Sequence, residues 1–221
     1  MYLHALQPEG IWRTRRAAQR LAITGLAVAN GQRRGDRHAD ANDQRPQFQN
    51  SSLYGENGMS EERLPIVYLS NELAQKTASL LDSFAQVRPS EGVVYWFGLE
   101  EENTAVVTTL IVPDADTTAG SVSTSAKANA DVIREIVGTR LVYLGQAHSH
   151  PGSNVDHSCY DDDNTFATFT GAMSVVVPWF GRYGFQLEQC GIYRHLNGRF
   201  QAVRNPDRHL KIIPGLKDLR I

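Results

Sequence analysis

The feature of the sequence that most restricts the fold is a regular alternation of strand-like and helical segments from Leu64 onward. Two segments have apolar residues at helical spacing: 71–87, which Pro89 ends, and 125–138, which Gly138 ends. The apolar runs before, between and after them are short and bounded by turn residues, which is typical of strands. This alternation predicts an α/β fold in which helices flank a mixed sheet.

The predicted strands belong to one domain. They occupy 64–70, 93–100, 105–113, 140–151, 173–180, 190–196 and 199–203. The last two flank Asn197-Gly198, a dipeptide typical of a two-residue hairpin turn. We therefore expect one domain over 61–205, a disordered extension over 1–60 and a C-terminal tail over 206–221.

The first 58 residues differ in composition from the rest, with eight arginines, no lysine and a long polar run without periodicity. That composition predicts disorder. The segment RTRRAAQRLAITGLAVA is superficially similar to a secretory signal peptide, although Thr24 and Gly25 interrupt its apolar core. A helical fragment, or a segment translated upstream of a natural start at Met59, explains the region as well, so its role stays open.

The amino-acid composition excludes some classes of function for this protein. The net charge of -2 and the isoelectric point near 6.4 provide no basic field for a nucleic acid. No run of about 18 apolar residues indicates a membrane span, and two cysteines are too few for a disulfide framework. We therefore expect a cytoplasmic protein that acts without nucleic acid or membrane. The sequence leaves the oligomeric state open.

The strongest chemical signal is HSHPGSNVDHSCYD (148–161), which holds three histidines and two aspartates. Side chains two apart in a strand share a face, so His148 and His150 present both imidazoles together. Pro151 cannot donate a ladder hydrogen bond and is expected to end the strand. Two such histidines supply half of a zinc site, whose third ligand must come from elsewhere.

Asp161 is the candidate third ligand, because the stretch 152–157 is long enough to turn the chain back toward the histidines. Ser158 and Asp161 also form an S-x-x-D pattern, which is a plain N-cap for a short helix expected near 161–169. The residues alone leave the cap and the ligand as alternatives for Asp161.

Together these residues resemble the JAMM motif of the MPN/JAB-domain zinc proteases. That motif has two histidines one residue apart, then seven residues before a serine and two more before an aspartate. His148, His150, Ser158 and Asp161 match all of its positions. The order of helices and strands over about 64–193 is also similar to that family.

The family also uses a glutamate where the first long helix meets the following strand, seven residues before a glycine. Glu91 and Gly98 match this pattern. The chain departs from the family at Val94, where a small glycine is common, and has Gly92 directly after the glutamate instead. The strand MSVVVPWFG further resembles the core strand of bacterial members.

The resemblance implies the MPN/JAB fold, which is cytidine-deaminase-like, and a zinc-dependent metallo-isopeptidase. It implies Zn²⁺ ligands at His148, His150 and Asp161, a general base at Glu91 and an oxyanion hydrogen-bond donor at Ser158. Zinc in such a site lowers the pKa of water from about 15.7 to near 7. The implied substrate is a ubiquitin-like protein, its conjugate or a peptide, cleaved at the amide that follows the modifier's C-terminus.

Two other classes of function remain as alternatives. A noncatalytic MPN scaffold would bind protein partners without cleaving them, but such members typically lack some of the ligands that this chain retains. A zinc hydrolase acting on a small molecule or nucleobase is disfavoured, because the H-x-E and P-C-x-x-C pattern of zinc deaminases is absent.

Other reactive residues receive simpler interpretations. The run Glu100 to Glu102 is expected to form a solvated hairpin turn rather than to supply the base. His157 is expected to be a loop histidine without a partner, and a ligand or substrate contact is the alternative. Cys159, two residues after His157, does not predict a thiol protease, because the side chains of residues so close in sequence rarely point toward each other.

Overall fold

The computed structural model describes residues 64–215. Its strands are β1 Ile66–Ser70, β2 Val93–Glu101, β3 Thr104–Ile111, β4 Ala115–Thr118, β5 Ser121–Thr124, β6 Val142–Ser149, β7 Met173–Val177, β8 Gly191–Leu196, β9 Arg199–Ala202 and β10 Leu210–Ile213. Its helices are α1 Asn71–Ala85, α2 Ala126–Ile136 and the short α3 Cys159–Asp163, and 3₁₀ turns occur at Trp179–Gly181, Leu187–Gln189 and Pro206–Arg208. None of the helices in this range is long and apolar enough to cross a membrane. The predicted extension over 1–60 lies outside the described residues.

Eight strands form one sheet in the order β10-β1-β3-β2-β6-β7-β8-β9. Strand β1 is parallel to both of its neighbours and β6 is parallel to β7, whereas the remaining pairs are antiparallel. Strands β4 and β5 pair with each other as a separate hairpin. The sheet is therefore mixed, which confirms the predicted fold class.

Alternate residues of β2 are buried in two different cores. Val94 and Trp96 pack in one core with Leu81 of α1. Tyr95 and Phe97 pack in the other, which contains apolar residues of α2. Since neighbouring residues of a strand point to opposite faces, α1 and α2 cover opposite sides of the sheet. This explains why β2 is apolar at successive positions rather than at alternate ones.

Both long helices begin at a serine that caps them. The Ser70 hydroxyl accepts a hydrogen bond from the backbone N–H of Leu73 at 3.2 Å, and the Ser125 hydroxyl accepts one from Ala128 at 3.1 Å. Each cap satisfies a backbone donor that the first turn of a helix leaves without a partner. Gly138, just beyond α2, has a φ of 85°, a conformation that favours glycine.

The structure contains a hairpin and a C-terminal strand that the sequence did not predict. The hairpin β4–β5 was not predicted, because ADTTAGSVST lacks the alternation of apolar residues that identifies strands. Strand β10 lies beyond the predicted domain boundary at 205 and pairs with β1, opposing Leu210 to Val67. The ordered sheet therefore extends into the segment predicted as a tail.

The acidic run at the end of β2 also differs in part from the prediction. Glu101 and Glu102 are exposed, and Glu102 has a φ of 47° in the turn to β3. Glu100, in contrast, is buried within β2 and is 5% exposed, so it is not part of a solvated turn. All three lie at the end of β2 opposite to Glu91.

Candidate metal centre

Strand β6 presents the two histidines of the cluster. It is buried throughout and ends at Ser149, so the strand stops next to Pro151 as predicted. His148 is 1% exposed, and its ring centroid lies 5.1 Å from that of His150. The backbone N–H of His150 still donates to the carbonyl of Val177 at 2.9 Å, which holds the second histidine against the end of β7.

The chain returns to the histidines at α3, as the spacing predicted. Asp161 Oδ1 lies 3.5 Å from His148 Nε2, and Asp161 Oδ2 lies 3.7 Å from His150 Nε2. One ligand atom from each of these three residues falls within 4.8 Å of the others. Among the described residues, this is a group of side chains with the composition and closeness of a metal site.

The S-x-x-D pattern is also a cap, so the two interpretations of Asp161 are compatible. The backbone N–H and the hydroxyl of Ser158 donate to Asp161 Oδ2 at 2.7 and 2.8 Å. The backbone N–H of Asp161 in turn donates to the Ser158 hydroxyl at 3.2 Å, which completes a capping box. The cap fixes the carboxylate, and its Oδ1 remains directed at His148.

The donor set fits a metal ion on chemical grounds. Both ring nitrogens of His148 are buried and have no hydrogen-bond partner within the described part of the chain, and such groups are costly to bury. Burial alone would raise the pKa of Asp161, but the neighbouring imidazoles of His148 and His150 outweigh it and hold that pKa well below its usual range. A permanently charged carboxylate beside two imidazoles is a suitable set for a divalent cation such as zinc.

Glu91 lies directly before β2, where it was predicted to adjoin the cluster. It is 3% exposed, and its backbone N–H donates to the Thr118 carbonyl of the β4–β5 hairpin at 2.8 Å. Burial raises its pKa to about 7, an effect that His150 opposes and the negative charge of Asp161 reinforces. The Glu91 backbone lies at the end of β2 that pairs with the histidine-bearing end of β6.

The pairing of β2 with β6 explains this closeness. Val93 is opposite His148 in the antiparallel register. Beyond it, Gly92 and Ser149 form two hydrogen bonds, from the Gly92 N–H to the serine hydroxyl at 3.0 Å and from the Ser149 N–H to the glycine carbonyl at 3.1 Å. The backbone next to Glu91 is therefore fixed to the strand that carries the histidines.

The glycines around Glu91 are explained by close packing. A side chain at Gly92 would collide with the ring of Phe84, and one at Gly98 would collide with the backbone carbonyl of Val106 on β3. Val94, the departure from the family pattern, is fully buried in the core beneath α1.

His157 lies in a loop as predicted, but the prediction that it lacks a partner is wrong, because its side chain is buried and has polar neighbours. Its Nε2 lies 3.0 Å from the Ser174 hydroxyl, and its Nδ1 lies 3.1 Å from Asp162 Oδ1. Burial and, to a smaller extent, the nearby His148 lower the pKa of His157 to about 4, so its ring is neutral near pH 7. Sequence reasoning missed these contacts because β7 and α3 supply them through the fold.

A pocket opens beside the candidate ligands on the face of the sheet covered by α2. Its lining includes His148 and Asp161, Tyr95 and Gln146 of the sheet, and Thr124 of β5. The unpredicted hairpin therefore supplies one wall of the site.

Comparisons with known proteins agree with this geometry. No family model matches the chain. The chain is 30% identical to the probable metalloprotease y4jG of Sinorhizobium fredii over 108 residues, which are 47% of this chain and 66% of that protein. The name of this relative, a probable metalloprotease, agrees with the group of two histidines, a serine and an aspartate that the fold brings together. This likeness to a metalloprotease supports the resemblance of the chain to the JAMM/MPN family. It spans slightly less than two thirds of the length of this relative.

Solved structures are also similar to the fold of this chain. A Desulfitobacterium hafniense protein solved in solution has a TM-score of 0.52 at 12% identity, and the likeness covers 69% of this chain and 96% of that one. A JAB1/MPN domain protein from Archaeoglobus fulgidus has a TM-score of 0.38 at 14% identity, over 67% of this chain and 98% of that one. The first likeness shows a shared fold.

Proposed function

We propose that the chain is a zinc-dependent JAMM-type peptidase that hydrolyses the amide bond at the C-terminus of a ubiquitin-like protein or of its conjugates. The observation that carries this proposal is the meeting of His148, His150 and Asp161 within 4.8 Å, together with a buried Glu91 next to the end of β2 that pairs with β6. Three protein ligands with a carboxyl nearby are the usual composition of a hydrolytic zinc site.

His148, His150 and Asp161 would hold the metal. When bound, zinc supplies Lewis-acid chemistry that activates water and polarises a carbonyl. The protein contributes the arrangement of the ligands: β6 fixes both histidines, and the capping box fixes the carboxylate. Burial of His148 and Asp161 also strengthens every charge interaction in the site, because few water molecules screen it.

Glu91 is proposed as the general base. It would accept the proton of the attacking water and then pass it to the leaving amine, so that the amide C–N bond breaks and the amine departs neutral. A carboxyl whose burial raises its pKa to about 7 suits both transfers near neutral pH.

Ser158 is proposed as the hydrogen-bond donor to the developing oxyanion. Its hydroxyl donates to Asp161 Oδ2 at 2.8 Å. To serve the substrate, the hydroxyl hydrogen must turn away from the carboxylate, whose Oδ2 keeps the bond from the Ser158 backbone N–H at 2.7 Å. The cap therefore supports Asp161 during the reaction.

An extended substrate tail would lie along the β4–β5 hairpin. In support of this placement, residues Val122 to Thr124 of β5 line the same pocket as His148 and Asp161. In the described residues β5 pairs with β4 alone, so its other edge can pair main chain to main chain with a peptide.

The decisive test is Glu91→Gln, with the zinc content measured in the same preparation. We expect cleavage of ubiquitin-like fusions and isopeptide conjugates to be lost while zinc remains bound, because the change removes the base and leaves the ligands. Glu101→Gln, at the exposed opposite end of β2, is the matched control. Full cleavage by Glu91→Gln would show that Glu91 is not the base, and a wild-type protein without zinc would favour the noncatalytic scaffold.

A further inference from the structure

A second group of polar side chains lies behind the candidate metal site, and the proposed reaction does not use it. At its centre is His157, whose side chain is only 3% exposed. It connects two elements: its Nε2 lies 3.0 Å from the Ser174 hydroxyl of β7, and its Nδ1 lies 3.1 Å from Asp162 of α3. A buried histidine in the connection between two ligands thus has contacts on both sides of its ring.

Ring contacts hold His157 from three directions. Its ring centroid lies 5.0 Å from that of Tyr193 and 4.9 Å from that of Phe200. On the third side it meets His148 at 5.5 Å, with the two rings nearly perpendicular at 79°. The histidine is therefore packed between the aromatic residues of β8 and β9 and one of the candidate metal ligands.

The same residues hold the backbone that leads back to Asp161. The His157 backbone N–H donates to the Tyr193 hydroxyl at 3.1 Å, and that hydroxyl donates to the Val155 carbonyl at 2.9 Å. Gly191 adds to this fit, because a side chain there would collide with the Val155 carbonyl. The connection is thus fixed to β8 at two successive points.

We propose that His157 is a positioning residue for the metal site, which holds the 151–158 connection so that Asp161 stays within reach of His148 and His150. This inference rests on the proposed function, since it assumes that these three residues bind zinc. The physical reason is that a carboxylate at the end of a loop loses conformational freedom when it binds a metal. A loop that is already held in place before the metal binds has less conformational freedom to lose, so metal binding is less costly.

The test compares His157→Phe and Ser174→Ala with Thr77→Val in the full chain. His157→Phe keeps an aromatic ring between Tyr193 and Phe200 but removes both polar contacts of the side chain. Thr77→Val is the matched control: Thr77 is fully buried and accepts a hydrogen bond from Trp96 at 3.3 Å, on the face covered by α1. It weakens the fold without touching the connection.

Zinc affinity is the first measurement, by competition with a coloured chelator. We expect His157→Phe to weaken zinc binding by about 10-fold to 100-fold, the range found for residues that support metal ligands. Ser174→Ala should weaken it less, since one hydrogen bond is lost, and Thr77→Val should leave it unchanged. The visible spectrum of the Co²⁺-loaded protein should shift in His157→Phe and not in Thr77→Val.

Amide hydrogen exchange without metal is the second measurement. We expect faster exchange at the His157 amide and its neighbours in His157→Phe than in Thr77→Val. Equal zinc affinity and equal exchange in folded His157→Phe and wild type would overturn the positioning role and leave the proposed function standing. Loss of cleavage in Glu91→Gln with no effect of His157→Phe separates the two ideas further, because only the second would then fail.

Discussion

The two faces of the central sheet differ in what they bury. Beneath α1 the core is apolar, with Trp96 and Leu81 at its centre and the hydrogen bond from Trp96 to Thr77 as a polar contact. Beneath α2 the same strands present Tyr95 and His148 beside the candidate metal site. The difference teaches that one strand can support the fold on one side and carry the chemistry on the other.

On the face covered by α2, hydrogen bonds also link the sheet to the helix and to the pocket. The Tyr95 hydroxyl donates to Asn129 of α2 at 3.2 Å and lies 3.0 Å from the Thr124 hydroxyl of β5. The Tyr143 hydroxyl donates to Gln146 at 3.3 Å. These bonds join the sheet to α2 and to the wall of the pocket, so changes on this face are expected to reach the site.

The largest expected effect is on the α2 face, in Asp161→Asn. The amide oxygen can still accept the backbone N–H of Ser158, so the cap should persist, but the negative charge that attracts the metal is lost. We expect cleavage and zinc binding both to disappear while the far-UV circular dichroism spectrum is unchanged. Asp163→Asn, on the exposed side of the same helix, is the control. Retained zinc in Asp161→Asn would remove Asp161 from the ligand set.

Leu81→Ala tests the other face. The side chain is fully buried, and large-to-small changes of this kind cost about 2–5 kcal/mol of unfolding free energy. Urea denaturation measures this loss. We expect zinc affinity and turnover per folded molecule to stay at wild-type values, because Leu81 packs in the apolar core on the face of the sheet opposite to the pocket. A drop in zinc affinity would show that the two faces are coupled.

Ser158→Gly separates catalysis from capping. Glycine at an N-cap costs only a few tenths of a kcal/mol, whereas removal of an oxyanion donor lowers kcat by about 10²-fold. We expect kcat to fall by that factor with little change in KM or in Tm. Ser125→Gly makes the same change at the cap of α2 and should leave kcat intact. A KM effect alone would assign Ser158 to substrate binding.

The smallest expected effects come from a matched pair of buried hydroxyls. Tyr95→Phe and Thr77→Val each remove a hydroxyl that makes two hydrogen-bond contacts, and each should lower the unfolding free energy by about 1–3 kcal/mol. Only Tyr95→Phe should also raise KM, because Thr124, its partner, lines the pocket. Equal KM values for the two variants would contradict the difference between the faces.

The candidate site could be predicted from the sequence because most of the residues that identify it lie close together in the chain. The spacing of His148 and His150 in a strand, and of Ser158 and Asp161 in a capping box, is set by backbone geometry over a few residues. The two long helices were predicted from periodicity for the same reason. Glu91 was identified only through resemblance to a family, since nothing near it in sequence points to the histidines.

Features that depend on distant contacts were missed. The polar sequence of β4 and β5 gives no strand pattern, yet this hairpin binds the Glu91 backbone through Thr118. His157 has an unremarkable position in sequence, and its burial depends on Ser174, Tyr193 and Phe200, which β7, β8 and β9 bring to it.

The sequence by itself determined the fold class and the local arrangement of the candidate ligands, because apolar periodicity and short-range spacing act within single elements. Only the tertiary structure decided that the backbone next to Glu91 is bonded to the end of β6 and that the ring of His157 packs against that of His148. The physical reason is strand register: the opposition of Val93 to His148 fixes which side chains meet across β2 and β6. Register follows from the packing of both sheet faces together, a property that no single segment of the chain contains.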